Sequence, residues 1–279
     1  MKVWAYVIAW NEELMLPYYL RHYSTFCDKI IVYDNMSTDS TRMIAESYGD
    51  LVEVVPFDSG EEFNDYVHIE LKRNSLKNAK GNADFVILCD CDEFVFHKDI
   101  RSFLNDNKDC SVFYPAGFQM ISDDFPKDLE GQLYDYVQWG EPSPWYTKPM
   151  IINLNVIDDV NWVEGAHELD PNLNLGSFWH PVPEDIRPIG EYKEHVWGKW
   201  QKMWEILDTF NSKPLKMLHY KYLGADYVSN RYKLYAKKMS KENHDNNIGM
   251  HYEIILKQGS DAIQKEIDEI KLKAVRVKI

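Results

Sequence analysis

The residues best suited to chemistry are three carboxylates that directly follow an apolar run. Residues 85–89 read Phe-Val-Ile-Leu-Cys, and Asp90, Asp92 and Glu93 come next. On an extended backbone, residues two apart point to the same side, so Asp90 and Asp92 are predicted to face one ligand. Carboxylate oxygens are the ligands that hard divalent cations prefer. The pattern predicts a site for one hard divalent ion, or for an ion and a ligand hydroxyl together, although Asp-x-Asp also occurs by chance in surface turns.

Strands and helices that alternate along the chain must position these carboxylates. Strand-like runs cover residues 3–9, 29–33, 51–57 and 85–89, and helical patterns follow the first three. This alternation predicts an α/β fold with a mostly parallel sheet flanked by helices. Ligands bind such sheets beyond the carboxyl ends of the strands. The sequence therefore predicts one ligand site at that edge, which also receives the side chains after the first two strands: Asn11, Glu12, Asp34 and Asn35.

Several short motifs here resemble those of family 2 glycosyltransferases. Residues 8–12 (Ile-Ala-Trp-Asn-Glu) are similar to the Asn-Glu opening of that family, and residues 34–41 to its Asp-Asp-Gly-Ser-x-Asp-x-Thr loop. Arg73-Asn74, Ala-Lys-Gly at 79–81 and the Asp-x-Asp strand follow in the family's order. The Asp-x-Asp-Glu-Phe ending, Asn35 in place of a second Asp and His219-Tyr220 resemble a divergent branch that is also similar to family 92 transferases. The resemblance is good over residues 1 to about 95 and sparse afterwards.

The resemblance implies a GT-A-like fold that binds a nucleoside diphosphate sugar, most simply a UDP-sugar. Asp34 would accept a hydrogen bond from the base, and Asn11, Glu12 and Asn35 would line the same pocket. Arg73 would approach the base or the phosphates. The structural alternatives are a helix-capping turn at residues 34 and 35 and a solvated helix face at Arg73.

The resemblance also implies how a metal ion would be held. Asp92 would bind Mn²⁺ or Mg²⁺ directly, and Asp90 would reach the ribose, or the ion through water. His219 resembles the C-terminal histidine that many GT-A enzymes bring to the metal and the diphosphate, and a neutral imidazole is a suitable Mn²⁺ ligand. The ion would stabilise charge on the departing nucleoside diphosphate. Lys221, Arg231 and Lys237 could meet phosphate charge as well, with a solvated basic helix face as the alternative for each.

Inverting sugar transfer needs a carboxylate that removes the proton of the acceptor hydroxyl. Glu168 is the first candidate and Glu164 the second, because both lie where residues 162–168 read as a strand running into a turn. Asp123 is a third candidate. Inversion itself is predicted by analogy with the resembling families, and a retaining mechanism would need no such base.

Composition narrows the remaining classes of function. Thirty-one basic and 45 acidic residues give a net charge of −14, which argues against nucleic acid as a partner. Four cysteines without Cys-x-x-Cys spacing favour a reducing, cytoplasmic location. We expect neither a signal peptide nor an apolar run of the roughly 20 residues that span a bilayer. The tail at 267–279 permits peripheral membrane contact or a homodimer through the C-terminal helices, although an exposed helix or edge strand is the simpler prediction.

These patterns together predict a metal-dependent glycosyltransferase. Residues 1–222 would form a GT-A-like domain, with 1–95 binding the nucleotide-sugar and 96–222 the acceptor, and 223–279 would form a C-terminal helical extension. The acceptor would be a hydroxyl of a glycan, lipid-linked sugar, protein or small molecule. Seven of the nine tryptophans follow residue 138, and Trp145 and Trp179 are candidates for packing on a sugar ring. The alternatives are a non-catalytic carbohydrate-binding or scaffold protein of the same fold, and a sugar nucleotidyltransferase.

Overall fold

The computed structural model describes residues 1–60, 65–127, 130–162, 169–170, 174–184, 201–245, 249 and 251–279. The strands are β1 (Val3–Ala9), β2 (Lys29–Asp34), β3 (Val52–Pro56), β4 (Phe85–Leu88), β5 (Glu93–Phe96), β6 (Val112–Phe113), β7 (Ala116–Ser122), β8 (Trp139–Pro142), β9 (Ile151–Asn153), β10 (Lys216–Leu223) and β11 (Val275–Arg276). The helices are α1 (Leu16–Tyr23), α2 (Thr41–Glu46), α3 (Asp65–Ala79), α4 (Ile100–Asp106), α5 (Leu133–Tyr136), α6 (201–205), α7 (Ala225–Ala236), α8 (Lys241–Asp245), α9 (His251–Gln258) and α10 (Ser260–Lys273). The chain has a mixed α/β fold, which confirms the predicted fold class.

The first sheet has the strand order β3-β2-β1-β4-β9-β6. Its first four strands are parallel, and the register pairs Ala9 with Asp34 and Asp34 with Pro56. The carboxyl ends of β1, β2 and β3 therefore lie side by side. An order of 3-2-1-4 is that of nucleotide-binding α/β sheets, whose ligands lie beyond those ends.

Both faces of this sheet are covered, as its sequence pattern requires. Along β1, Val3, Ala5 and Val7 are buried in the larger apolar cluster, whereas Tyr6 belongs to a second cluster on the other face. Alternate residues of a strand point to opposite faces, so a strand buried on both sides is apolar at nearly every position. Fully burying one such large apolar side chain contributes about 1.5–3 kcal/mol to folding.

The neighbour of β4 differs from the expectation. The apolar residues between 110 and 118 predict a single strand, which would lie beside the carboxylate-bearing strand. Instead β9 lies next to β4 and runs antiparallel to it, and Pro115 separates β6 from β7. Because proline has no N–H to donate to a strand partner, the chain leaves the first sheet there and enters the second.

The second sheet has the order β11-β8-β7-β10-β5. Strand β10 lies between β5, which is antiparallel to it, and β7, which is parallel. The register places His219 opposite Glu93 on one side and Gln119 on the other. Three polar side chains from distant parts of the sequence therefore lie in one row across the sheet.

The C-terminal segment packs against this second sheet. Tyr227, Val228 and Tyr232 of α7 are buried, as are Ile263 and Ile267 of α10. The chain then ends in β11, which pairs with β8, so the expected edge strand is part of the sheet. In the described residues no helix is long and apolar enough to cross a membrane.

Candidate active site

A cavity of about 410 Å³ opens beyond the carboxyl ends of β1, β2 and β4. Of the predicted site residues, its lining includes Glu12, Asn35, Asp90, Asp92 and His219. Asn11, Asp34 and Arg73 are not among the lining residues. Glu164 and Glu168, the candidates for the catalytic base, lie outside the described residues, so their role stays a prediction.

Asp90 and Asp92 lie in a tight turn between the two sheets. The Glu93 N–H donates to the Asp90 carbonyl at 3.0 Å, so the chain does not continue as the extended strand that the sequence suggested. Cys89 anchors the turn, because its sulfur contacts the hydroxyls of Tyr19 and Tyr23 at 3.4 and 3.2 Å. The turn leaves the Asp90 side chain 58% exposed and the Asp92 side chain only 9% exposed. Both still line the cavity, but from different depths.

Asp92 faces His219, and a chain of hydrogen bonds orients the imidazole. His219 Nδ1 lies 2.5 Å from Gln119 Oε1, and the Gln119 amide nitrogen donates to Tyr146 Oη at 3.2 Å. With the amide assigned in this way, Nδ1 carries the proton and Nε2 presents its lone pair to Asp92 Oδ2, 3.7 Å away. Burial lowers the pKa of His219 to about 3, although Asp92 opposes this shift, so the imidazole is neutral.

This arrangement fits a divalent cation. Two acceptors that face each other at 3.7 Å have no proton between them, and a metal ion with bonds of about 2.1 Å would satisfy both. Among the described residues no three His, Cys, Asp or Glu side chains form a complete metal site. Mn²⁺ or Mg²⁺ would therefore take its other ligands from water and from a substrate phosphate, which is common for Mg²⁺ in phosphate-transfer sites.

Glu12 is held by the C-terminal helix α7. Arg231 Nη1 lies 2.5 Å from Glu12 Oε2, and the Tyr235 hydroxyl donates to Glu12 Oε1 at 3.1 Å. Burial raises the pKa of Glu12, and Arg231 opposes that shift. Arg231 Nη2 also lies 3.6 Å from Asp92 Oδ2. The helix after β10 thus brings a guanidinium to the floor of the cavity, more than 200 residues from its partner in sequence.

A second buried ion pair supports the turn itself. Lys148 Nζ lies 2.5 Å from Glu93 Oε1, with side-chain exposures of 6% and 3%. The other oxygen, Glu93 Oε2, accepts from the Asp90 N–H at 3.1 Å. Burial disfavours the charged lysine, but Glu93 and Asp90 raise the pKa of Lys148 above its usual value. Sequence reasoning missed Lys148, because a lone lysine before proline carries no local sign of burial.

The loops after β1 and β2 are tied to each other. The Asn11 side chain accepts from the Thr38 N–H at 2.8 Å, and the Asn11 N–H donates to Ser37 Oγ at 3.0 Å. Asp34 accepts from the Ser37 N–H at 3.1 Å and is buried. The Asn35 side chain donates a hydrogen bond to the Ser59 hydroxyl and accepts one from the Ser59 N–H. These five hydrogen bonds build the rim where the resemblance predicts a nucleotide base, and of the residues that form them Asn35 alone lines the cavity.

On α3, the residue before the predicted one reaches the site. Arg73 Nη2 lies 3.6 Å from Asp159, away from the cavity, whereas Lys72 Nζ lies 3.8 Å from Asp90 Oδ1. Successive residues of an α-helix point about 100° apart, so adjacent side chains face different surroundings. Loss of hydration inside the cavity would raise the pKa of Asp90, but its side chain is more than half exposed, and the charges of Lys72 and Lys148 lower that pKa below its usual range.

Aromatic side chains form part of the cavity wall. The rings of Trp10 and Tyr235 lie 6.3 Å apart, and Tyr235 stacks on Tyr252 at 5.3 Å. Trp145, which is half exposed, also lines the cavity. Trp179, the other predicted sugar-binding tryptophan, packs on Phe103 at 5.6 Å and does not line it.

The cavity is richer in positive charge than the chain as a whole. The full chain has a net charge of −14. The described lining nevertheless brings five cationic side chains together with four acidic ones: Lys72, Lys148, Lys221, Arg231, Lys238, Glu12, Asp90, Asp92 and Glu93. Burial lowers the pKa of Lys221 to about 8, with Glu266 opposing the shift. A local excess of cations in a recessed site favours anionic ligands.

No family model matches this chain, and no curated protein matches it. The chain is similar to solved structures. One is S. aureus TarS 1-349 in complex with UDP-GlcNAc, with 14% identity, a TM-score of 0.41, and coverage of 88% of this chain and 78% of that one. Another is S. aureus TarS, with 18% identity, a TM-score of 0.39, and coverage of 60% of this chain and 31% of that one.

A further similar structure is glucosyl-3-phosphoglycerate synthase from Mycobacterium tuberculosis with Mn²⁺, UDP and glucosyl-3-phosphoglycerate. It has 20% identity and a TM-score of 0.30, and the match covers 42% of this chain and 44% of that one. The chain spans 31%, 47% and 65% of the lengths of three TarS structures it matches. Likeness at these scores carries no functional conclusion, so function must be argued from this chain's own side chains.

Proposed function

We propose that this protein is a GT-A-type glycosyltransferase that moves a sugar from a nucleoside diphosphate donor, most simply a UDP-sugar, to a hydroxyl of a carbohydrate or glycoconjugate. The observation that carries the proposal is the Asp92–His219 pair. Its two acceptors face each other at 3.7 Å in a cation-rich cavity at the carboxyl edge of a parallel sheet. That combination suits a diphosphate that arrives with a divalent ion.

Asp92 and His219 would hold the ion, and Asp90 would reach it through water or bind the ribose. The bound ion would supply Lewis-acid stabilisation of the leaving diphosphate. The protein's own cations act in the same direction, because Lys72 and Arg231 place positive charge beside the two aspartates. Gln119 keeps His219 in the tautomer that leaves Nε2 free to bind.

The base of the nucleotide would lie against the rim formed by the loops after β1 and β2. Asn35 is the polar side chain there that lines the cavity. Asn11 and Asp34 would act through the loop conformation, since both bond the backbone of residues 37 and 38. Any part played by Arg73 would require it to leave Asp159.

The acceptor would pack against the aromatic wall. Flat aromatic rings pack well on the apolar faces of sugar rings, and Trp10, Trp145 and Tyr252 all line the cavity. Inversion, with Glu168 or Glu164 as the base that removes the hydroxyl proton, remains the preferred mechanism by analogy. The sugar and the linkage are left to experiment.

Thermal-shift titration tests the donor class. UDP, GDP, CDP and dTDP are each added with and without Mn²⁺ to the wild type and to Asp92→Asn. A nucleotide present at 100 times its Kd stabilises the folded state by about 2.7 kcal/mol. We expect one nucleotide to stabilise the wild type with Mn²⁺ and to lose that effect in Asp92→Asn.

Asp123→Asn is the matched control for nucleotide binding, because Asp123, the third candidate for the base, is an exposed acid that pairs with Lys271 and does not line the cavity. It should keep the wild-type response. If no nucleotide stabilises the wild type, the transferase proposal is wrong. If one does, release of free sugar from the corresponding nucleotide-sugar, measured with and without candidate acceptors, then separates turnover from mere binding.

A further inference from the structure

Arg231 lies between two buried carboxylates, and only one of them holds it. Its Nη1 lies 2.5 Å from Glu12 Oε2, and its Nη2 donates to the Tyr235 hydroxyl at 3.0 Å. Nη2 and Asp92 Oδ2 are 3.6 Å apart, which is too long for a hydrogen bond. The guanidinium also lies 5.6 Å from the ring centre of Tyr227. Glu12 and the tyrosines of α7 therefore fix Arg231, whatever Asp92 binds.

This fixed charge opposes an ion that binds alone. An arginine stays protonated in proteins, so its positive charge cannot be removed by losing a proton. Glu12 offsets part of this charge, but Arg231 Nη2 lies 3.6 Å from Asp92 Oδ2, so a divalent ion on that oxygen would still lie within a few ångströms of the guanidinium, in a site where water screens charges poorly. Asp92 and His219 supply only two donors, and no complete metal site exists among the described residues. Two donors beside a fixed cation bind a free ion weakly.

A diphosphate reverses this balance. Its negative oxygens would be attracted to the ion and to the Arg231 guanidinium at the same time, because His219 Nε2 and Arg231 Nη2 both approach the same oxygen, Asp92 Oδ2. The repulsion between the two cations is then offset by an anion that both can contact.

We propose that Arg231 makes divalent-ion binding at Asp92 depend on the nucleoside diphosphate. The inference rests on the proposed function and adds the order of assembly. Arg231 is a positioning residue here: it keeps the ion site weak until the donor arrives. Because coupling between two ligands is reciprocal, the ion must tighten nucleotide binding by the same factor.

The test measures Mn²⁺ binding directly, from the electron paramagnetic resonance signal of free aqueous Mn²⁺, with and without UDP. Formation of Mn²⁺–UDP in solution is measured separately and subtracted. The wild type is compared with Glu12→Gln/Arg231→Met, which removes both charges of the pair, and with Arg231→Lys, which keeps the positive charge. Lys29→Met/Glu53→Gln is the matched control, because that pair is 2.5 Å apart at the opposite, amino end of β2.

In the wild type we expect UDP to tighten Mn²⁺ binding by a factor on the order of 100. In Glu12→Gln/Arg231→Met, Mn²⁺ alone should bind roughly tenfold more tightly, and the tightening by UDP should fall below about tenfold. Arg231→Lys and the control pair should keep strong coupling. Equal coupling in the wild type and the double variant would overturn the inference.

The two proposals fail in different ways. If neither UDP nor any of the other three nucleoside diphosphates affects Mn²⁺ binding or the stability of the wild type, the proposed function fails first. If UDP and Mn²⁺ bind the wild type but their coupling ignores Arg231, only this inference fails. Should circular dichroism show the double variant unfolded, Glu12→Gln/Arg231→Gln replaces it, because it also removes both charges and keeps a hydrogen-bonding side chain at each position; the expected direction of change is the same.

Discussion

Replacing Lys148 by methionine should destabilise the protein strongly, because it would strand a buried carboxylate. Lys148 Nζ and Glu93 Oε1 are 2.5 Å apart and nearly inaccessible to water. At an effective dielectric constant of about 20, charges at that distance attract by about 7 kcal/mol, much of which desolvation cancels. Removing one partner of such a pair costs about 3–5 kcal/mol. We expect a loss of that size at pH 8.

The loss should shrink in acid. Burial already raises the pKa of Glu93 while Lys148 opposes the shift, so without Lys148 the pKa rises further. A carboxyl whose folded-state pKa lies above its unfolded value favours folding below the unfolded pKa and loses that contribution as pH rises through the folded value. Lys148→Met should therefore be closer to the wild type at pH 5 than at pH 8.

Urea unfolding followed by circular dichroism at both pH values measures this. The matched variant is Lys148→Met/Glu93→Gln, which removes both charges and keeps a donor-acceptor side chain beside the Asp90 N–H. It should recover most of the lost stability and show no extra pH dependence. If the free energy of unfolding of Lys148→Met lies within about 1 kcal/mol of the wild-type value at pH 8, the reasoning is refuted, because a buried unpaired charge should destabilise the protein by more than that.

Three further changes test other parts of the structure. Burial lowers the pKa of His22 to about 4. The free energy of unfolding should therefore fall by about 3 kcal/mol between pH 6.5 and pH 4, because the unfolded chain binds the proton more readily. In urea unfolding, His22→Gln should remove this part of the pH dependence. Gly117→Ala would place a methyl group 2.5 Å from the Tyr146 backbone carbon, so the free energy of unfolding should fall by about 1–3 kcal/mol in the same assay. Because Tyr146 lines the cavity, thermal shift should also show weaker nucleotide binding. Asn11 has a φ of 53°, in the left-handed region. Asn11→Ala should lower the free energy of unfolding by about 2–3 kcal/mol, because it adds backbone strain and loses a hydrogen bond, whereas Asn11→Gly should lower it by about 1 kcal/mol, for the hydrogen bond alone. Equal losses in the two variants would argue against strain.

The parallel half of the fold is readable from local sequence. Apolar strands with polar residues at their ends recur through the first 95 residues. Helix α1 has apolar residues at i, i+3, i+4 and i+7, and these residues, Leu16, Tyr19, Leu20 and Tyr23, are all buried. Periodicity of this kind depends on neighbours in sequence, so it survives without knowledge of the tertiary structure.

The rest of the site depends on contacts between distant segments. Lys148 reaches Glu93 from 55 residues away, and Arg231 reaches Glu12 from the C-terminal helix. Neither pairing leaves a pattern in the local sequence. The rotation of α3 about its axis decides that Lys72, and not Arg73, faces Asp90. A sequence-based assignment that is wrong by one residue therefore names the wrong side chain. The sequence predicts an extended backbone at 90–93, whereas the structure has a turn there. The hydrogen bond that ends the strand, from the Glu93 N–H to the Asp90 carbonyl, has no recognisable sequence motif.

The turn that carries Asp92 is joined to both sheets through the main chain. β4 leads into it from the first sheet, and the Asp92 carbonyl accepts from the Tyr220 N–H of β10 at 2.7 Å. The spacing of Asp92 and His219 is thus held by backbone bonds that do not depend on which side chains surround them. Trp145 and Tyr252, by contrast, enter from a separate 3₁₀ turn and helix. Substitutions in the aromatic wall should therefore leave the spacing of Asp92 and His219 intact, so the two parts of the cavity can vary independently of each other.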